Sequence, residues 1–285
     1  MRGFSINIIA KIQDILTNSL YCIGDILKVI IFSGFKTAIH KSKENSKIIV
    51  VGNGPSAADF LNGFNYSNSK AETLVMNFFA TDEWFFKIKP KYYVFADPQV
   101  FNSDKIPLTV EDKYNGLIET LSQINWDIYF FIPRHFKNSL FLRDLNNLGF
   151  QGKVMTYNNT PLKSRGYVVN KLMEFGLGIT TPESVIISSI AISINLGYSK
   201  VSLIGVEHSW VKEIEVDTQN RVSYTLRHFY KGDKVYPSSY TVSEFMSSQH
   251  RLFLSHEKIA QYAQFKGVKV INLTKNSLID AYERH

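Results

Sequence analysis

The sequence predicts an α/β fold: a Rossmann-like, mostly parallel sheet with helices on both faces. Two observations carry that expectation. From Lys47 onward, short apolar runs of strand length alternate with segments of helical period. The first run, Ile48–Val51, opens directly onto Gly52-Asn53-Gly54-Pro55-Ser56 and a helical pattern, the order of a strand–turn–helix unit.

Taken along the chain, the spacing predicts strands at Ile48–Val51, Thr73–Asn77, Tyr92–Ala96, Asp127–Ile132, Lys153–Thr156, Val201–Ile204 and Val268–Asn272. Helices are expected from Ser56, over Ser184–Leu196 and over Ser255–Lys266. Residues 206–250 are long, polar and poor in helical periodicity, and read as a lid that carries Tyr224, Arg227 and Tyr230. Before the domain, residues 1–46 read as an amphipathic helix with a break at Gly24, and residues 41–47 as a polar linker. Its isoleucines and leucines recur at three- and four-residue steps, and Lys11, Gln13, Asp14, Asn18 and Lys28 lie opposite. Charges interrupt each apolar run, so a transmembrane span is not expected. Two readings stand: a helix packed on the domain or on a second copy in a homo-oligomer, and a peripheral anchor lying in a membrane surface. The domain plan is thus an extension over 1–46 and an α/β catalytic domain over 47–285.

The 285 residues are 45% hydrophobic and 20% charged, which is a globular composition. One cysteine excludes an intrachain disulfide and fits a cytoplasmic setting, peripheral on the membrane's inner face if residues 1–46 bind it. The net charge of +7 is a modest excess that suits an anionic substrate or surface. There is no basic stripe interleaved with aromatics, so nucleic acid is not an expected partner. No metal-binding triplet or Cys cluster occurs, and neither a metal nor another cofactor is expected.

Ligands of parallel sheets bind beyond the carboxyl ends of the strands. The residues there are Gly52, Asn53, Gly54, Pro55 and Ser56, then Asn77, Asp97, Glu207, His208 and Ser209. The opening turn is neither a Walker loop nor a GxGxxG. Its glycines permit close approach to a ligand, and the helix start that follows can receive an anion. The bland alternative is an ordinary strand-to-helix corner.

GNGPS, Asn77, Asp97-Pro98, LGYSKVSLIGVEHS (Leu196–Ser209) and the closing KNSL (Lys275–Leu278) occur in that order. Together they resemble the bacterial sialyltransferases of glycosyltransferase family 42 from about residue 47 to 280. GNGPS and the LGY…GVE block are the specific parts. Both blocks, and Asn77–Pro98 in particular, also resemble Rossmann-like proteins related to hydroxymethylpterin diphosphokinase and flagellin modification.

The first resemblance implies a GT-A-like variant of the fold. It also implies metal-independent, inverting transfer of a sugar, sialic acid or another nonulosonate, from a CMP-linked or other nucleotide-sugar donor to a surface glycan or glycolipid acceptor. Asn53, Ser56 and Asn77 would hold the nucleotide, and Asp97 stands where that family offers an asparagine. Thr180–Ser184 stands in place of its Thr-Ser-Gly. Counting back from KNSL puts His250 at the catalytic base, with His208 as the rival from its strand-end position. The second resemblance implies a metal-dependent diphosphokinase-like transferase, with Asp97 and Glu207 as carboxylates for Mg²⁺. A third reading is a non-catalytic binding module.

Overall fold

The computed structural model describes residues 2–35, 46–63, 70–101, 108–228, 231–237 and 240–284. A seven-stranded sheet forms its centre. The strands are β1 (Lys47–Val51), β2 (Glu72–Met76), β3 (Tyr92–Val94), β4 (Tyr129–Pro133), β5 (Lys153–Tyr157), β8 (Lys200–Ile204) and β12 (Lys269–Asn272). Every neighbouring pair is parallel. The expected Rossmann-like α/β fold is therefore observed.

Alternate residues of each strand feed two separate cores, because strand side chains alternate across the sheet. In β1, Ile48 and Val50 join the core beneath α7 (Tyr167–Glu174), α8 (Val185–Asn195) and α9 (Val242–Lys266). Ile49 and Val51 join the opposite core, under α2 (Ser56–Gly63), α5 (Leu108–Ser122) and α6 (Leu140–Asn147). Burial on both faces is why these strands are continuously apolar. Smaller elements complete the chain: α3 (Trp84–Ile88), α4 (Pro98–Phe101) and a two-stranded pair, β6 (Pro161–Leu162) with β7 (Ile179–Thr180).

The strand order is β12-β8-β1-β2-β3-β4-β5. From β1 the chain builds outward to β5, then returns to lay β8 and β12 on β1's other side. The order reverses between β1 and β8, and such a reversal opens a crevice at the strands' carboxyl ends.

Three expectations change. Helix α1 runs unbroken over Arg2–Phe32, with Gly24 inside it. Residues 206–250 are not one polar loop. They form an antiparallel sheet of β9 (Ile214–Val216), β10 (Val222–His228) and β11 (Lys231–Pro237), then the first turns of α9. Helix α9 starts at Val242, thirteen residues before the expected Ser255, and a capping box at Thr241 and Glu244 fixes that start. The linker expected at 41–47 falls mostly outside the described residues.

Candidate functional site

A cleft of ≈ 400 Å³ lies at this reversal point. Its wall is built from the ends of β1, β2, β3 and β8. Gly52, Asn53, Gly54, Pro55, Asn77, Asp97, Glu207, His208 and Ser209, all expected from the sequence, line it. Ser56 does not, and its Oγ is buried without a hydrogen-bond partner. Tyr224 lies in β10 with its ring 5.9 Å from that of Phe245, and it is not part of the wall. Arg227 belongs to β10 by its backbone, while its side chain and all of Tyr230 lie outside the described residues. His250 is exposed on α9 and does not line the cleft. Being inside the helix rather than on a lid, it is not brought to the other candidates.

Two glycines let the ends of β1 and β8 come together. A Cβ on Gly52 would run into the carbonyl oxygen of Gly205, and one on Gly205 would stand 2.7 Å from the Cβ of Ala57. Gly205 also has φ +64°, which favours glycine. The loop after β8 is clasped from the C-terminal segment. Thr274 Oγ1 accepts from Val206 N (3.1 Å), Ser277 Oγ donates to the Val206 carbonyl (2.7 Å), and Leu278 N donates to the Glu207 carbonyl (2.9 Å). KNSL thus holds the strand-end loop in place.

The positive end of α2, expected to receive an anion from outside, is filled from within. The Ser56 backbone N–H donates to Glu207 Oε1 at 2.8 Å, while Gly52 N and Gly54 N donate to the carbonyls of Ile204 and Gly205. Glu207 Oε2 is buried against Gly54 with no hydrogen-bond partner. A carboxylate suits a helix N-terminus as a phosphate does. In this conformation the turn is a corner closed by Glu207.

Asn77 shapes the wall too. It sits at φ +47°, a region where asparagine is tolerated. Its Oδ1 accepts from Ala96 N (2.9 Å) and Asp97 N (3.2 Å), and its carbonyl accepts from Tyr93 Oη (2.6 Å). The β3 corner is therefore tied to β2, which aims Asp97. Burial raises the Asp97 pKa, offset in part by the Gln99 N–H and by Lys113.

His208 is buried at φ +50°, and its Nε2 lies 3.0 Å from His256 Nε2. His256 Nδ1 is 2.9 Å from Tyr282 Oη. Burial lowers the His208 pKa to about 3 and that of His256 well below its ordinary value, the second helped by His208. Both rings stay neutral, and one nitrogen of the facing pair carries the shared hydrogen.

The sequence reading missed Asn159, Val185, Ile186 and Trp210 in the wall, and met Pro182–Ser184 only as the stretch standing in place of the family's Thr-Ser-Gly. Asn159 follows the end of β5, so the strand-end rule that found Asn77 applies to it equally. Ser184 is the N-cap of α8 and makes no side-chain cap bond, and the first turn of α8 faces the cleft through Val185 and Ile186. Glu183 beside it is engaged by Arg251 and by Ser248 Oγ. Among the described residues, the wall holds no lysine or arginine, and no group of three or more His, Cys, Asp or Glu is placed to hold a metal.

No protein-family model and no curated protein sequence matches this chain. Among solved structures, the apo structure of FabMG, described as a novel type of enoyl-acyl carrier protein reductase, aligns at 14% identity and a TM-score of 0.23. The match covers 84% of this chain and 63% of the reductase. A likeness that low carries no argument about what the cleft does.

Proposed function

We propose that the chain is a glycosyltransferase, of the sialyltransferase-like kind its motifs resemble, using a nucleotide-activated sugar. The observation that supports it most is the convergence of four strand ends on one cleft of small-molecule size at the sheet's reversal point. Asn53 and Asn77 supply amides for the nucleoside. With α2 closed by Glu207, the open first turn of α8, which follows Ser184, is the matching place for the donor phosphate.

In the transfer step the acceptor hydroxyl oxygen bonds to the anomeric carbon as that carbon's bond to the phosphate oxygen breaks. The bonding pair leaves with the phosphate, towards the positive end of α8. The hydroxyl proton passes to Asp97, whose burial makes it a stronger base than an exposed carboxylate. His208 is too weak a base for this, and His250 is outside the wall.

A second reading has an observation of its own. Asp97 and Glu207 line the same wall, which among the described residues has no lysine or arginine of its own to meet phosphate charge, and that suits a nucleotide arriving with its metal and a diphosphokinase-like transfer. Thermal shifts with CMP, CDP, UDP, GDP and ATP, each with and without Mg²⁺, separate the two. A ligand at about a hundredfold its Kd stabilises by about 2.7 kcal/mol. That is roughly 5–10 °C for a domain of this size. A shift with CMP or CDP alone supports the first reading. A shift only with ATP or GDP and Mg²⁺ supports the second. No shift with any nucleotide refutes both and favours a non-catalytic module.

A further inference from the structure

Helix α1 turns its polar side inward and its apolar side to solvent. Asp25, fully buried, accepts from Lys163 N, Ser164 N, Ser164 Oγ and Lys28 Nζ. Asn18 exchanges hydrogen bonds with the backbone of Arg165, whose guanidinium pairs with Asp14. Lys28 also donates to the Pro161 carbonyl at 3.0 Å. The domain is thus bound through a polar seam, with Val29 the apolar contact that reaches the core.

The outer side is the reverse. Ile12, Ile15, Leu16, Leu20, Ile23 and Leu27 lie there, each more than half exposed. At 3.6 residues per turn, the isoleucines and leucines from Ile9 to Ile31 fall within an arc of about 160°. No charged residue lies in that arc. Ser19 does, and its hydroxyl is satisfied by the Ile15 carbonyl at 2.8 Å.

We infer that α1 lies in the plane of an anionic lipid surface, its outer arc in the acyl boundary and its inner seam holding the α/β domain. Three arguments favour lipid. The arc is wider than the seam two packed helices share, so a second copy of α1 would leave much of it wet. The charge fits: residues 1–46 contain six Lys or Arg against three Asp or Glu, in a chain of net charge +7. Lys11 and Lys163 lie beside the seam, and neither makes an ion pair among the described residues. The third concerns orientation. Ile9–Phe32 is long and apolar enough to cross a bilayer, but crossing would strip Asp25 of the three donors the domain supplies, leaving only Lys28 of its own helix, and break the Asp14 pair. Lying flat keeps each of those contacts.

The test is flotation of the full chain with phosphatidylcholine vesicles, with and without roughly 30% phosphatidylglycerol. Wild type is expected to float, and more strongly with the anionic lipid. The triple variant Ile12→Glu, Leu16→Glu, Leu27→Glu is expected to float at least about tenfold less. Its Tm should be unchanged, because the three side chains are exposed. Wild type that stays below both vesicle types overturns the inference, as does a variant that floats equally well. A wild-type dimer that the substitutions split, with no flotation by either protein, would give the face to a second copy instead.

Discussion

Gly54→Ala tests whether Glu207 closes the α2 corner. A Cβ at residue 54 would fall on Glu207 Oε2 and stand 2.6 Å from its Cδ, so the carboxylate must leave. Leaving breaks the 2.8 Å bond from Ser56 N, a bond to a charged acceptor worth about 1.5–3 kcal/mol. It also removes a negative charge from a helix N-terminus, worth about 0.3–1 kcal/mol. The expected loss is about 2–4 kcal/mol, or roughly 5–15 °C in Tm.

The single variant alone would not name the partner, so the assay is a double-mutant cycle. Urea unfolding is measured for wild type, Gly54→Ala, Glu207→Ala and the double variant. Glu207→Ala should cost about 1–3 kcal/mol, less than the full bond, because it also relieves the unpartnered Oε2. Once the carboxylate is gone, Gly54→Ala still meets the Gly205 carbonyl at 2.8 Å, a backbone contact with a cost of its own, so the double variant should fall below Glu207→Ala by less than Gly54→Ala falls below wild type. A coupling of about 1–3 kcal/mol is expected. Costs that add to within about 0.5 kcal/mol would refute the clasp.

Further consequences follow from the titratable groups. Asp97→Asn should abolish transfer yet raise stability at neutral pH. Burial lifts the folded carboxyl's pKa, so its contribution is complete below the unfolded value of about 4 and is lost as pH rises through the folded value. Urea midpoints at neutral and acid pH check this, and a destabilised variant at neutral pH would contradict it. The buried His208–His256 pair is held neutral, so its stabilisation is complete above about pH 6.5 and is lost as pH falls towards about 3. Each imidazole contributes up to about 1.4 kcal/mol per pH unit, and His256→Gln should flatten the acid limb by about that slope. Asp25→Ala should cost about 3 kcal/mol, since it leaves two backbone N–H groups and the Ser164 hydroxyl without their acceptor and Lys28 without its ion-pair partner. It should also speed proteolytic cutting within α1, and cutting at the wild-type rate would contradict the seam.

The sheet was legible because each strand is buried on both faces and so is continuously apolar. The ends of β1, β2, β3 and β8 then pointed to most of the cleft wall. Two elements were illegible for different reasons. The first turns of α9 read VSEFMSSQHRLF, where serines and exposed polar residues dilute a period carried by Phe245 and Leu252. The β9–β11 sheet has no apolar run to announce it. Helix α1 was legible as a helix, but not the direction it faces. Periodicity shows that one side is apolar, and only the partners of Asp25 and Asn18 show that this side points away from the domain.

The GNGPS turn shows a further limit with a physical cause. Of the helix N-termini at the cleft, those of α2 and α8 compete for an anion, and by composition α2's is the more inviting to phosphate, with two glycines and a serine at its start. The group that fills it, Glu207, comes from 151 residues away in sequence, and only the pairing of β1 with β8 brings it there. The α8 terminus carries no such motif and follows Pro182-Glu183, an acid beside a would-be anion site. Yet Arg251 and Ser248 engage Glu183 from α9, and the α8 terminus stays open to the cleft. Which helix end can take an anion is thus decided by where the two carboxylates find partners. That makes Ser184 and the α8 first turn, rather than Ser56, the place where substitution should raise the KM for a phosphate-bearing donor.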